Sequence, residues 1–463
     1  MAEASGDFVD VLFSFLTLPL GTIILHESED KFPHNQSVMI GCIKNLYQSV
    51  KDLSTDVFRN GICKRMLLSP RNALEASCQK LKVNVDNTLP TKYFMCNICS
   101  PESVSLLSAF EEATCSCGKS MDKEVELLVE SKEKPEEPKY DGVFVKGDAM
   151  FLIFDDLKVL RSSPSDSLQL LLKHRHKDLS KINGMSKHVS TQKIFHILKQ
   201  ALTSESPLSD VLLENRESKP SYSFSPYTSP SHGKDCVKIK VIVSKSQNKV
   251  LFAEVDGDFV DFLVSFLTTP LGSILNLMDG KLSLGSIDNL YASVKDLDSS
   301  WFIGSSNKSL LNPKVAPQFG CRNNPLNALQ EDNTPKYWYG TPVEKYNMEN
   351  DEKKKISKKK EMLRDPPQEM KLFDPRSSVV GSDVHQKYEF MKRPCLFVVT
   401  DDLKVIPITT ASSFPYPKEL GNFKLDDVEE HMVKIRKKSH EVIFSYSQSP
   451  FDDLFFSSST ILV

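Results

Sequence analysis

The chain has 463 residues, of which 40% are hydrophobic and 26% are charged, which is the composition of a soluble globular protein. Its formal net charge is −3, so no overall field attracts nucleic acid or an acidic membrane, and a nucleic-acid partner is not expected. A chain of this length exceeds one ordinary core, and length alone predicts about two to four domains.

The N-terminal sequence MAEASGDF argues against a secretory signal, because no basic residue precedes its apolar run. The run from Val11 to Ile24 is shorter than the about 20 apolar residues that a spanning helix needs, and Pro19 interrupts it. We therefore expect no membrane partner and a cytoplasmic location, with a nuclear location as the alternative. Ten cysteines without a secretory context predict reduced thiols.

Residues 6–23, GDFVDVLFSFLTLPLGTI, predict a helix with one apolar face packed in a core. The apolar positions follow the spacing i, i+4, i+7 and i+8, and they are Phe8, Leu12, Phe15 and Leu16. Asp7 is the predicted N-cap, and Asp10 lies in the first turn, where the helix dipole favours a carboxylate. Pro19 cannot continue this helix, but it can start the next one.

The same motif returns at residues 257–274 as GDFVDFLVSFLTTPLGSI, with 14 of 18 positions identical. Later blocks also recur in the same order, so we predict two tandem homologous units. They are a first copy, residues 1–215, and a second copy, residues 234–463, joined by a Ser/Pro-rich flexible linker at 216–233. The predicted fold class is α+β, each unit being a small mixed sheet with amphipathic helices.

Alternating apolar residues in CVKIKVIVSKSQNKVLFAEV, just before the second motif, predict a β-hairpin. The first copy starts inside the motif and lacks this leading hairpin. Two explanations stay open. The gene model or isoform is shortened, or the first copy has an exposed sheet edge that another strand could fill.

The order of motifs resembles a plant family known as domain of unknown function 674. The segments that carry the resemblance are KVLFAEVDGDFVDFLVSFLTTPLGSI, IDNLYASVKDL, LLNP, DDLKV and the SPLSD and SPFDD blocks. The resemblance covers both copies and implies a plant protein, commonly with tandem copies, without an established activity. It supplies no catalytic residues.

The first copy contains a candidate metal site, formed by Cys96, Cys99, Cys115 and Cys117. A Cys-x-x-Cys turn presents two thiolates, and a second pair can complete a tetrahedral zinc site. The resemblance implies a second Cys-x-x-Cys, whereas this chain has the shorter Cys-x-Cys, so both a structural zinc and unliganded thiols stay open. The second copy has residues 339–342, YGTP, at this place, which favours a structural over a catalytic metal.

Other polar blocks have simpler interpretations. Asp155-Asp156 and Asp401-Asp402 predict turns between short strands, since adjacent strand residues point to opposite faces. Ser206-Pro207 and Ser449-Pro450 predict helix starts. His174 and His176 are expected to be exposed.

Two charge-rich segments, residues 130–139 and 349–368, predict exposed or disordered connectors. The second contains the lysine run from Lys353 to Lys360. This run is interpreted as a solvated loop, with a nuclear import signal or a phosphate-binding patch as alternatives.

The duplicated pattern contains no duplicated set of catalytic polar residues. We therefore predict a non-enzymatic interaction or scaffold protein that binds an unidentified protein partner through exposed strands or loops. The alternative is an enzyme or small-molecule-binding protein with a site between the two units, and a zinc-dependent nuclear factor is a third, weaker reading.

Overall fold

The computed structural model has a mixed α+β architecture, as predicted, with helices and several small sheets. It describes residues 1–29, 42–86, 89–99, 105–128, 141–162, 184–213, 236–282, 285–319, 321, 336–343, 353–376, 389–408, 425–436 and 461–462. The predicted linker, 216–233, lies outside these ranges, as do His174, His176 and residues 130–139.

The helices described in the first copy are α1 (Gly6–Ser14), α2 (Leu20–Ser28), α3 (Ile43–Asp52), α4 (Gly61–Leu68), α5 (Glu75–Cys78), α6 (Thr191–Thr203) and α7 (Pro207–Leu212). Those described in the second copy are α8 (Gly257–Ser265), α9 (Leu271–Leu277), α10 (Ile287–Asp296) and α11 (Ser306–Leu311). Among the described residues, no helix combines the length and the apolar composition required to cross a membrane.

The strands of the first copy are β1 (Ala2–Ser5), β2 (Tyr93–Met95), β3 (Leu106–Leu107), β4 (Ala113–Thr114), β5 (Ser120–Met121), β6 (Lys123–Val125), β7 (Met150–Ile153) and β8 (Val159–Arg161). Those of the second copy are β9 (Cys236–Ser244), β10 (Lys249–Asp256), β11 (Tyr337–Pro342), β12 (Lys355–Ser357), β13 (Leu363–Leu372), β14 (Leu396–Thr400), β15 (Val405–Pro407), β16 (Val428–Arg436) and β17 (Ile461–Leu462).

The repeated motif forms a helix, a short 3-10 turn and a second helix in both copies, from α1 to α2 and from α8 to α9. Its predicted apolar face is buried. Leu12, Phe15 and Leu16 are fully enclosed, and Phe8 packs half-buried against the same core. Pro19 stands directly before α2, where its fixed backbone ends one helix and precedes the next, as predicted.

The predicted N-cap at Asp7 is wrong, because the cap and the start of the helix lie two residues earlier. Ser5 holds the cap position of α1, and the Asp7 carboxylate instead accepts the Phe8 N–H at 2.9 Å from within the first turn. In the second copy the equivalent cap is Asp256, whose carboxylate accepts the Phe259 N–H at 3.0 Å.

The strand that precedes the motif pairs in the same register in both copies, but the two sheets differ in their number of strands. Ala2 lies opposite Ile153 in the β1–β7 pair, and Ala253 lies opposite Val399 in the β10–β14 pair. The predicted hairpin before the second motif is confirmed as β9 and β10. The sheet orders are β1-β7-β8 and β15-β14-β10-β9-β16-β17, so β10 is flanked on both sides while β1 is a terminal strand.

The paired aspartates lie in hairpin turns, as predicted. Leu157 and Leu403 close the two turns with φ values of 61° and 62°. The Asp155 carboxylate accepts the N–H and the hydroxyl of Ser209 at 2.7 Å each, which attaches α7 to the turn. Ser206 is the N-cap of that helix with proline at its first position, as predicted, whereas Ser449-Pro450 lies outside the described residues.

The prediction of a connector at residues 349–368 is wrong for its described part. Residues 355–357 and 363–372 form β12 and β13 of a four-stranded sheet with the order β12-β11-β13-β3. Ile356 is fully buried, and the flanking lysines lie against aromatic rings, Lys360 at 5.0 Å from the Trp338 ring centroid. The long aliphatic stems of lysine can cover apolar surface while the ammonium stays in water. A segment rich in lysine can therefore still form a strand.

Candidate metal centre

The four candidate cysteines lie at the ends of short strands in the first copy. Cys96 directly follows β2, and Cys99 is three residues further along the same turn. Cys115 and Cys117 lie in the turn that connects β4 to β5. Because β2 pairs with β6, and β6 follows β5 closely, the two turns approach each other at one end of this small structure.

The structure brings all four sulfur atoms together, within 4.8 Å of one another. The Sγ atoms of Cys96 and Cys117 are 3.6 Å apart, and those of Cys99 and Cys115 are 3.8 Å apart. Four sulfurs at about 2.3 Å from one tetrahedral zinc would be separated by about 3.8 Å. The cluster is therefore compatible with a metal site.

The short Cys-x-Cys spacing does not prevent this convergence. The Gly118 N–H donates to the Cys115 carbonyl at 2.9 Å, and the Cys115 N–H donates to the Lys119 carbonyl at 2.8 Å. This tight turn requires a positive φ of 78° at Gly118, a region that glycine adopts without steric cost. Cys117 consequently reaches across to Cys96 instead of pointing away.

One thiol of the cluster, that of Cys96, differs electrostatically from the buried cysteines elsewhere in the chain. Burial opposes ionisation of Cys96, but the N–H groups of Cys99 and Ile98 donate to its sulfur and lower the pKa of this thiol to about 7. Its hydrogen bond with Cys117, followed by burial, raises the pKa of Cys99 to about 12.

Three buried cysteines outside the cluster, Cys42, Cys63 and Cys78, are core thiols. Burial raises the pKa of Cys42 and of Cys78 to about 12, and that of Cys63 to about 11. Buried thiols in apolar surroundings are inert, so these residues contribute packing. Inside the cluster, Cys96 and Cys115 are buried, whereas Cys117 is exposed, which leaves a path for an ion from solvent.

The strands next to the four cysteines contact strands of the second copy. The hydroxyls of Tyr93 and Tyr337 are 2.9 Å apart, and they join β2 to β11. Strand β3 pairs in parallel with β13, with Leu106 opposite Lys371. At the corresponding place the second copy continues as β11, through residues 339–342, where the first copy turns at Cys96.

Sequence reasoning missed the role of the repeated aspartate of the motif. Asp10, assigned to the helix dipole, is fully buried, and its carboxylate accepts the N–H groups of Val143, Phe144 and Val145 at 2.6 to 2.9 Å. In the second copy, the equivalent Asp261 accepts two backbone N–H groups and pairs with an arginine. The identity of this residue in both copies was the available signal.

The structure also shows where part of the lysine run, Lys353 to Lys360, lies. Lys355 is buried and pairs with Glu126 of the first copy at 2.8 Å, so it is part of the sheet and not a free phosphate-binding cation. Lys354 lies 5.9 Å from the ring centroid of Tyr339.

Comparison with known proteins gives one family. The model of the family described as "Protein of unknown function (DUF674)" matches residues 1–438. No curated protein and no solved structure matches the chain significantly.

Proposed function

Taking as premise that the chain belongs to the DUF674 family of proteins of unknown function, we propose that it is a non-enzymatic protein that binds an extended segment of a partner protein along β1. The proposal rests on a difference between β1 and β10, which pair in the same register with β7 and β14 but differ in their second neighbour. In the part of the chain that the structure describes, β10 has β9 on its second edge, whereas β1 has no strand there. An uncovered strand edge is a template for an added strand.

Burial of the equivalent residues supports the same role. Ala253 and Val255, on β10, are 0% and 3% exposed, whereas their counterparts Ala2 and Ala4 on β1 are only half-buried. An added strand would remove this remaining apolar surface from water, which favours binding.

The second copy also indicates the chemistry of the partner segment. On β9, Lys240 lies opposite Glu254, and its ammonium is 2.6 Å from that carboxylate. The counterpart of Glu254 in the first copy is Glu3, which is exposed and accepts a hydrogen bond from Ser162 at 2.9 Å. The proposed partner therefore supplies an antiparallel strand with alternating apolar residues and a basic residue opposite Glu3.

A labelled peptide with the β9 sequence VKIKVIVSK tests this proposal by fluorescence anisotropy with the full chain. We expect binding, and a weaker complex when the lysine at the position of Lys240 is replaced by glutamate, by about fivefold for one exposed charge pair. The Glu3→Lys chain should reverse this preference, which separates binding at β1 from displacement of β9. Absence of binding, or a preference that Glu3→Lys leaves unchanged, would refute the proposal. If a segment of this chain already covered the edge of β1, the peptide would not bind.

We further propose that the four cysteines bind one zinc ion with a structural role. Four sulfur ligands complete a tetrahedral shell and leave no position for substrate or water, as in other structural zinc sites. Among the described residues the second copy offers no cysteine cluster, so any chemistry of the metal would be confined to one copy.

Metal analysis of the purified full chain tests the zinc proposal. We expect one equivalent of zinc in the wild type and none in Cys96→Ser/Cys99→Ser, together with a lower Tm. The matched control is Cys395→Ser, a partly exposed cysteine outside the cluster, which should keep the metal. A wild-type chain purified without metal, and unable to bind added zinc, would reduce the cluster to unliganded thiols.

The alternative of an enzyme with a site between the copies has less support. Two arginines whose side chains are buried or half-buried are each paired with an aspartate of the chain. The Arg376 guanidinium binds Asp374 at 2.6 Å, and Arg393 binds Asp261 at the same distance. Charges that are paired within the chain in this way are less available to a ligand.

A further inference from the structure

The two copies of the motif contact each other directly and reciprocally. The N–H of Leu20, at the start of α2, donates to the Thr269 carbonyl of the second copy at 3.1 Å. The N–H of Leu271, its counterpart, donates to the Leu18 carbonyl of the first copy at 2.9 Å. The first N–H groups of a helix have no partner within the helix, so here each copy supplies the acceptor for the other.

This contact explains the glycine of the Pro-Leu-Gly segment. A Cβ at Gly272 would lie 2.6 Å from the Leu310 carbonyl oxygen and 3.0 Å from the Leu16 carbonyl oxygen of the first copy. A Cβ at Gly21 would lie 3.0 Å from the carbonyl oxygen of Leu267, the counterpart of Leu16 in the second copy. Each glycine is thus needed at a point where both copies approach its backbone, since the Cβ at Gly21 would also lie 2.9 Å from Pro70 of its own copy.

Helices α3 and α10 extend the exchange beyond the motif. The Ser49 hydroxyl on α3 accepts the Val405 N–H of the second copy at 3.0 Å, and Ser293 on α10 accepts the Val159 N–H of the first copy at 2.8 Å. Asn45 beside Ser49 donates to the Asp402 carbonyl at 2.9 Å, and Asn289 makes the equivalent bond to Asp156 at 3.1 Å. Each copy therefore caps the aspartate turn of the other.

A third reciprocal contact joins backbone to backbone. The Arg59 N–H donates to the Phe390 carbonyl at 2.9 Å, and the Ile303 N–H donates to the Phe144 carbonyl at 2.8 Å. Phe390 and Phe144 are the residues whose own N–H groups bind the buried aspartates of the two motifs. The loop that each motif anchors is thus also paired with the other copy.

We infer that the repeated motif is a self-complementary interface, and that its binding partner is a second copy of the same motif. Within this chain the two copies fill that role for each other, so they fold as one body and neither is a self-sufficient domain. The boundaries of the two copies and of the linker at 216–233 stay a prediction.

Cleavage of the folded full chain tests the inference. A protease site is inserted within residues 216–233, the folded protein is cut, and the products are analysed by native size-exclusion chromatography with mass detection. We expect both halves in one particle of the mass of the intact chain, and their separation only in denaturant. Separation under native conditions, whether as two folded pieces or by precipitation of one of them, would overturn the inference.

A glycine variant supplies a second, independent readout in the uncut chain. Gly272→Ala places a methyl group 2.6 Å from the Leu310 carbonyl oxygen of its own copy and 3.0 Å from the Leu16 carbonyl oxygen of the first copy. Amide exchange should therefore become about tenfold faster or more around Leu16 to Leu20 of the first copy as well as in α11, as for an overpacked core. The matched control is Gly61→Ala, since a Cβ at Gly61 meets nothing within 4 Å. Exchange changes confined to the second copy would overturn the inference. If the Gly272→Ala chain does not fold, the cleavage experiment decides alone.

Discussion

Replacement of the two reciprocal serines, Ser49→Ala and Ser293→Ala, tests the exchange between the copies most directly in terms of stability. Ser49 and Ser293 are 8% and 3% exposed, and each hydroxyl accepts a backbone N–H of the other copy. Alanine leaves those N–H groups, of Val405 and Val159, without their acceptor in a site that water does not reach. A buried donor deprived of its partner costs about 1–3 kcal/mol, so each variant should lower the free energy of unfolding by that amount.

The assay is urea unfolding of the full chain, followed by circular dichroism, together with amide exchange at Val159 and Val405. We expect the exchange at Val159 to accelerate in Ser293→Ala, although the substitution is in the other copy. Ser28→Ala is the matched control, because Ser28 is exposed and its hydroxyl bonds only within α2, to the Leu25 carbonyl at 2.9 Å. A loss no larger than that of the control, or unchanged exchange at both valines, would refute the reasoning.

Three further changes test separate contacts. Tyr337→Phe leaves the buried Tyr93 hydroxyl without its 2.9 Å partner and should cost about 1–2 kcal/mol, measured by urea unfolding with Tyr339→Phe as control. Asp155→Ala should accelerate amide exchange throughout α7, which this carboxylate attaches through Ser209, and unchanged exchange would exclude that role. Burial raises the pKa of the Asp261 carboxyl to about 6. This carboxyl therefore ionises at a lower pH in the unfolded chain than in the folded chain. The free energy of unfolding consequently falls as the pH rises from about 4 to 6, by up to about 1.4 kcal/mol per pH unit. Asp261→Asn should lack this slope in urea midpoints measured across that range.

Much of the local structure was predictable because it depends on neighbouring residues. The spacing of Phe8, Leu12, Phe15 and Leu16 indicated a buried helix face, and alternation from Val237 to Val255 indicated the β9–β10 hairpin. The convergence of four cysteines was also a correct expectation, because ligand spacing along the chain is part of the site.

The contacts between the copies could not be predicted from such patterns. Periodicity identifies which face of α1 is buried, but both copies have the same pattern, so it does not say which copy covers the face. The reciprocal bonds join residues more than 130 positions apart, such as Asn289 and Asp156, and no local signal connects them. Strand β12 inside the lysine run was missed because Ile356 is the one apolar residue of KKKISKKK, and its burial depends on pairing with β11.

The strands near the cysteines are shorter than the corresponding strands of the second copy, and this difference explains why a zinc ion would stabilise the first copy. In the second copy, β11 has six residues and pairs on both sides, with β12 and β13, so its sheet is held by backbone hydrogen bonds. In the first copy, β3, β4 and β5 have two residues each, and a strand of that length forms too few hydrogen bonds to be stable. A four-sulfur metal site joins the two turns of this region at one point and would replace the missing strand pairing. Loss of the ion should therefore open residues 96–99 and 105–121 first, and the opening should spread to β11 through the contact between Tyr93 and Tyr337.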